Sequence, residues 1–285
     1  MMNFAKTPDY ETLKKFLKND MFFNIYVHGE KGCGKTASII AIHEELGKGY
    51  IRVNVSIETD EDALIGRVWL RNGETVYEKG PVIQAMEEGK TLLLDEIDLG
   101  HPQRLMCLQS ILEGSGYFIK KTNEMIYPKP GFRVIATANT KGSGDDTGNY
   151  IGTQMLNGAM IDRFSMFYHF SYASPEVETQ ILKMNRSVID GGNSVTDTFL
   201  SNLVTWANQI RKNDDYIEHT VSTRKLIDIV KIFTIIPEEE TAIRMGISAY
   251  PSEVIDAFAN MYDLIRVDGG EAVVDDDEEM KLNMF

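Results

Sequence analysis

Apolar positions follow two different periods along this chain, and the change between them falls near Ser171. Before it, short apolar runs recur at 21–27, 50–55, 91–94, 132–138 and 165–170. These β-compatible runs of four to seven residues read as strands, those at 21–27 and 132–138 as buried ones. Between them, 9–18, 36–46, 59–65, 81–89, 102–112 and 153–160 read as helices, with Leu105, Leu108 and Leu112 on one face of the fifth. Strand alternating with helix predicts an α/β domain built on a parallel sheet. Beyond Ser171 the strands stop. Ser174-Pro175-Glu176 supplies a cap, a first-turn proline and an acid, and helices are predicted at 175–189, 197–212, 222–235 and 252–265. The expected division is an α/β domain over 1–171, a smaller all-helical domain over 172–267 and a tail over 268–285. The tail carries seven acids and no base between Asp268 and Glu279, a run that favours solvation over packing.

Two further stretches follow the period of two. At 68–77, Asn72-Gly73 sits between β-rich runs, the strongest short hairpin signal. A two-residue loop there pairs Arg71 with Glu74 and Trp69 with Val76. A second hairpin is expected at 117–127, with Thr122-Asn123 at its tip and Lys120 and Lys121 beside it. The first hairpin either packs on its own domain or protrudes to touch a substrate.

One stretch obeys neither period. Gly29-Glu30-Lys31-Gly32-Cys33-Gly34-Lys35-Thr36 fits the phosphate-loop spacing of glycine, four residues, then glycine, lysine and threonine. The glycines let backbone N–H groups turn inward to form an anion nest. A helix starting at Lys35 and running through Ala37 points its positive end into that nest. Lys35 adds a cation for the β- and γ-phosphates, and Thr36 offers a hydroxyl to Mg²⁺. The strand at 91–94 ends in Asp95-Glu96. Such pairs are common in turns, but after a phosphate loop they acquire roles: Asp95 holds Mg²⁺ beside Thr36, and Glu96 activates the attacking water. Asn139 closes the next strand, and either bonds the lytic water or the γ-phosphate or forms an Asx turn. Arg224 and Lys225 fall in the first turn of a helix capped by Ser222, where cations oppose the dipole. Arg224 therefore either faces a bound anion or snorkels outward.

Composition narrows the field. The chain has 285 residues, 43% hydrophobic, with a net charge of −14, which disfavours non-specific nucleic-acid binding. No apolar run approaches a membrane span, and 1–10 lacks a charged-then-apolar leader pattern, so a cytoplasmic location is expected. Two cysteines, Cys33 and Cys107, suit a reducing compartment. Cys33 reads either as a stabilised thiolate or as a small residue tolerated in the loop. The stretch 141–152, with four glycines plus Asp145 and Asp146, reads as a loop without the spacing of a calcium site.

Taken in order, these motifs resemble the AAA+ ATPases: the phosphate loop at 29–36, the acidic strand end at 91–96, Asn139 as a first sensor, Arg163 in Asp-Arg-Phe, and Arg224 as a second sensor. The two hairpins point to the MoxR and dynein-related branch. Gly144-Asp145, Thr147-Gly148, Tyr150, Gly152-Thr153-Gln154, Leu156-Asn157 and Asp162-Arg163 look like the ATPase subunit of aerobic cobaltochelatase. About 20 residues precede the first strand, which favours a free-standing relative over a chelatase subunit. The resemblance implies a sheet in the order 5-1-4-3-2, a helical lid, ATP and Mg²⁺, and a ring, usually of six copies. It also implies that Arg163 serves as an arginine finger on a neighbour's nucleotide, the alternative being a local pair with Asp162. The expected function is remodelling of a protein partner. A nucleic-acid motor or loader, a chelatase subunit and a monomeric small-molecule kinase are the other readings.

Overall fold

In the computed structural model, which describes residues 5–142, 144, 152–189, 195–213 and 219–267, the five apolar runs become one parallel sheet. The first unit, Met1–Tyr172, runs α1 (Pro8–Lys18), β1 (Ile25–His28), α2 (Lys35–Leu46), β2 (Tyr50–Asn54), α3 (Glu61–Leu64), β3 (Gly66–Arg71) and β4 (Glu74–Lys79). It continues with α4 (Pro81–Glu88), β5 (Thr91–Asp95), α5 (Gln109–Leu112), β6 (Tyr117–Ile119), β7 (Glu124–Ile126), β8 (Arg133–Ala138), α6 (Gly158–Ile161) and β9 (Met166–His169). The sheet order is β2-β5-β8-β1-β9. Numbered among the sheet strands alone, this is 5-1-4-3-2, the order the resemblance implies.

Every residue of β1, β5 and β8 is buried, while the edge strands β2 and β9 alternate between half-buried and exposed. Side chains alternate across the sheet and so build two cores. Tyr26, Leu92, Leu94, Val134 and Ala136 face one, with α4 and the 104–112 segment. Ile25, Val27, Leu93 and Ile135 face the other, with α1 and α2. Each fully buried leucine or isoleucine contributes about 1.5–3 kcal/mol.

The structure departs from the sequence reading at several places. The first strand begins at Ile25, not at Met21, because the buried Asn24 side chain donates to Leu112 O (2.7 Å) and accepts from Val134 N (2.9 Å). Of the helix expected at 153–160, only α6 forms, capped by the Asn157 side chain. The stretch expected as one helix at 102–112 is a 3₁₀ segment, Arg104–Leu108, followed by α5; Leu105, Leu108 and Leu112 are all buried. The first hairpin has the expected register, Arg71↔Glu74 and Trp69↔Val76, with Asn72 and Gly73 both at positive φ as a type I′ turn requires. The second pairs only 117–119 with 124–126.

The second unit, Ala173–Phe285, holds α7 (Pro175–Ile189), α8 (Asp197–Lys212), α9 (Thr223–Ile235), α10 (Glu239–Gly246) and α11 (Ser252–Val267). Helix α10 escaped the periodic reading because it is eight residues long and buries only Ala242, Ile243 and Gly246. Phe199, Trp206, Phe258 and Tyr262 centre the core. Glu178, fully buried, accepts a two-pronged pair from Arg211 (2.8 and 2.9 Å) and a hydroxyl from Thr223 (2.5 Å). The acidic tail and Asp145, Asp146, Thr147, Gly148 and Tyr150 lie outside the described residues.

Candidate functional site

The glycine loop leaves β1 at His28 and delivers the chain into α2 at Lys35. Gly29, Gly32 and Gly34 all take positive φ. At Gly29 a Cβ would lie 2.0 Å from Phe170 O, so the loop rests directly on backbone just past β9. Gly34 caps α2 with no side-chain hydrogen bond, and the first-turn amides keep the donor capacity an anion needs. Lys35 is buried, and its ammonium donates to Gly29 O (2.7 Å), Glu30 O (2.9 Å) and Asn139 Oδ1 (3.2 Å). Burial lowers its pKa, with the surrounding acids opposing that shift. Those three acceptors are what phosphate oxygens would replace.

Elsewhere in the loop, Glu30 has one carboxylate oxygen buried without a partner among the described residues. Lys31 is exposed, and its carbonyl accepts from Tyr172 (3.0 Å). Burial pushes the Cys33 thiol up, outweighing Lys35, which disfavours the thiolate reading. Ala37 is exposed on the first turn of α2.

Asp95, at the end of β5, is 5% exposed and fully subscribed. Its Oδ1 accepts from Thr36 Oγ1 (2.7 Å) and from the Thr137 hydroxyl. Its Oδ2 accepts from Arg52 Nε (3.0 Å) and from a second nitrogen of the same guanidinium. A hydroxyl and a carboxylate oxygen side by side at a phosphate nest are the hard donors Mg²⁺ takes, with water and phosphate completing its shell. Among the described residues no group of three or more His, Cys, Asp or Glu could hold a metal ion.

Glu96 sits at φ 57°, in left-handed geometry that costs a non-glycine residue about 1–3 kcal/mol. It is exposed, and its amide donates to Thr137 Oγ1 (3.2 Å). Asn139 lies between Lys35, through its side chain, and Asp98 Oδ2, through its amide (2.9 Å). The structure thus brings together Lys35, Thr36, Asp95 and Asn139.

Two arginines are placed differently. Arg163 does not pair with Asp162. Its guanidinium grips Glu113 Oε1 (2.7 and 2.6 Å) and donates to Ala159 O. Arg224, in the second unit, is exposed in the first turn of α9, and no ion pair holds it among the described residues. Its neighbour Lys225 reaches Gly246 O (3.0 Å) at the C-terminal end of α10, where a cation is favoured. That accounts for one of the two cations that break the dipole rule at Ser222.

Sequence reasoning missed Arg52 and Thr137. Each points from its strand at Asp95, Arg52 from two places before Asn54, the register partner of Asp95. An arginine between Ile51 and Val53 was the available signal.

A family model for the AAA domain of the dynein-related subfamily matches residues 24–164, and a model for the C-terminal region of CbbQ, NirQ and NorQ matches residues 185–266. An uncharacterized protein of Staphylococcus saprophyticus is 29% identical over 242 residues, covering 81% of this chain and 85% of its own length. One from Staphylococcus aureus is 28% identical over 243 residues, covering 82% and 87%. Among solved structures, a Cytophaga hutchinsonii protein assigned as an ATPase superposes with a TM-score of 0.50 at 17% identity, covering 90% of this chain and 81% of that one. A RuvB variant of Thermotoga maritima gives 0.51 at 14% identity, covering 93% and 69%. These structures share the fold. The first model spans the phosphate loop and the acidic strand terminus, so residues 24–164 are similar to the dynein-related AAA domain, and the chain is an AAA-type ATP hydrolase.

Proposed function

We propose that this ATPase works as a ring, most simply of six copies, and uses ATP to remodel a protein partner in the cell interior. The observation that carries the reading is the convergence of Lys35, Thr36, Asp95 and Asn139 on one point at the C-terminal edge of the sheet. The nest 29–37 binds the triphosphate. Thr36 and Asp95 would hold Mg²⁺, which would supply charge neutralisation on the phosphates. Glu96, exposed beside them, orients the attacking water and takes its proton. Asn139 reads the γ-phosphate once Lys35 has turned from the Asn139 amide to the phosphate. Arg224, exposed and in no ion pair among the described residues, is the proposed second sensor. Arg163 acts on the nucleotide of a neighbouring copy, and must first leave Glu113.

The partner-facing element is the β3–β4 hairpin. Val68, Trp69, Leu70 and Val76 are all exposed on it, Leu70 to 76%, a density of apolar surface that favours a protein contact. Lys121, one of the two clustered bases, is engaged with Asp62 and with Gly66 O (2.8 Å), which weighs against a nucleic-acid track.

The test is ATPase rate against protein concentration, with Glu96→Gln beside the wild type. The expected result is a rate per subunit that falls on dilution, and a Glu96→Gln form that retains ATP without turnover. A constant rate down to clearly monomeric protein argues against the trans arginine, and undiminished turnover removes Glu96 from its role. A pull-down with the ATP-trapped Glu96→Gln form identifies the partner.

A further inference from the structure

Asp98 lies just past the acidic strand end, in a 3₁₀ turn formed by Ile97–Leu99, and its side chain is fully buried. Its side chain makes no hydrogen bond to the nest or to the Thr36–Asp95 pair, although its charge is felt at Lys35. Its Oδ2 is an unusually crowded acceptor: Asn139 N (2.9 Å), Thr140 N (3.0 Å) and Thr140 Oγ1 (3.1 Å) all donate to it. Its Oδ1 is buried with no partner among the described residues. A buried carboxylate gains most from hydrogen bonds on its charged form. A site kept for stability alone would be expected to satisfy both oxygens, because an orphaned buried one costs about 1–3 kcal/mol.

The same residue also ties down the far side of the glycine-rich stretch. Gln154 N donates to Asp98 O (2.6 Å). Thr140 Oγ1, which donates to the carboxylate, accepts from Gly142 N (3.3 Å), and Gly142 O accepts from Leu156 N (2.9 Å). Immediately after Leu156, Asn157 caps α6, and Arg163 follows just past its C-cap Asp162. Asp98 therefore grips both ends of 139–154 and stands between the Asn139 amide and the helix leading to Arg163.

We propose that Asp98 is the positioning residue for Asn139: its carboxylate fixes the backbone at the end of β8 so that the Asn139 side chain meets the γ-phosphate in one geometry. The proposal rests on the reading of Asn139 as the phosphate sensor. Without the Asp98 acceptor, two adjacent amides and a hydroxyl lose their common anchor, and the strand end carrying Asn139 is free to shift. A displacement near 1 Å at such a group costs about a hundredfold in rate. Binding is set by the nest and Lys35, whose hydrogen bonds to Gly29 O and Glu30 O do not pass through Asp98, so affinity should change far less than turnover.

The experiment compares steady-state ATPase and nucleotide affinity for Asn139→Ala, Asp98→Ala, their double variant, Asp98→Asn and Thr140→Val, each checked for folding by thermal melting. Asp98→Ala is expected to lower kcat by about ten- to a hundredfold with nucleotide Kd changed less than about threefold. The double variant should be no slower than Asn139→Ala alone, since both remove one function. Asp98→Asn keeps an acceptor oxygen and should recover most of the rate. Should Asp98→Ala fail to fold, Thr140→Val carries the same test, with a smaller loss of kcat that also vanishes in the Asn139→Ala background. Losses that multiply in the double variant, or an Asp98→Asn form as slow as Asp98→Ala, overturn the proposal. A wild-type rate in Asn139→Ala instead overturns the sensor reading on which it stands, and is distinguishable because it appears in the single variant.

Discussion

Gly29→Ala isolates how the phosphate loop is held. Gly29 sits at φ 151°, and a Cβ there would lie 2.0 Å from Phe170 O and 3.0 Å from Phe170 C. Real Cβ contacts do not fall below 3.0 Å, so either the loop or the chain beyond β9 must move by about 1 Å. The unfavourable φ costs about 1–3 kcal/mol, and the overpacking a similar amount. The displaced residue is the one whose carbonyl anchors Lys35 at 2.7 Å. The expected result is a drop of about 2–6 kcal/mol in unfolding free energy together with at least a tenfold weaker Kd for ATP, read by titration with a fluorescent nucleotide. Gly47→Ala is the control. Gly47 ends α2 at φ 64°, and a Cβ there would meet nothing within 4 Å. It should lose about 1–2 kcal/mol and keep its affinity. If Gly29→Ala binds ATP as the wild type does, the loop is not seated on Phe170 and the geometric argument fails.

Three further outcomes follow from other contacts. Arg211→Met strands the buried Glu178 carboxylate in the second unit and should cost about 3–5 kcal/mol; urea unfolding followed by Trp206 fluorescence in a Trp69→Phe background reads it, and a loss below about 1 kcal/mol refutes it. Arg52→Met removes the ion pair on Asp95 Oδ2 and should lower the stability of nucleotide-free protein by about 1 kcal/mol, discounted because the Arg52 side chain is 42% exposed; an unchanged unfolding midpoint shows the pair to be idle. Burial, with His169, Lys141 and Lys35 adding repulsion, pushes His28 down to about 4. Above about pH 6.5 both folded and unfolded forms are neutral there, so His28 is silent; as pH falls from 6.5 towards 4 only the unfolded chain takes up the proton, and stability declines by up to about 1.4 kcal/mol per unit. His43, also lowered by burial, adds to the same window, so His28→Gln should reduce the slope between about pH 6.5 and 5 and not abolish it. Identical slopes contradict the assignment.

The strands that build the sheet were legible because burial on both faces leaves an unbroken apolar signature, as in Leu92-Leu93-Leu94 and Val134-Ile135-Ala136. The loop was legible because phosphate chemistry demands glycines and a lysine at fixed spacing. What could not be read is tertiary in origin. Asn24 looks like a strand residue, yet its amide bridges two segments 88 and 110 positions away. Arg163 looks ready to pair with its neighbour Asp162, yet Glu113 comes nearer. Arg52 shows its purpose only when β2 and β5 lie in register, which places its guanidinium on Asp95. Asp98 was visible as a third acid in Asp-Glu-Ile-Asp, but what it grips is decided by the end of β8.

The central claim is that one active site is completed by two copies of the chain, and a mixing experiment tests it most directly. Glu96→Gln protein lacks the water-activating carboxylate but still carries Arg163; Arg163→Ala protein has the carboxylate but no arginine to lend. Each alone should be nearly inactive. Mixed in equal amounts under ring-forming conditions, they should recover a substantial part of the wild-type ATPase, because an Arg163→Ala site borrows the arginine of a Glu96→Gln neighbour. A mixture no faster than the sum of its separate components would contradict the shared site.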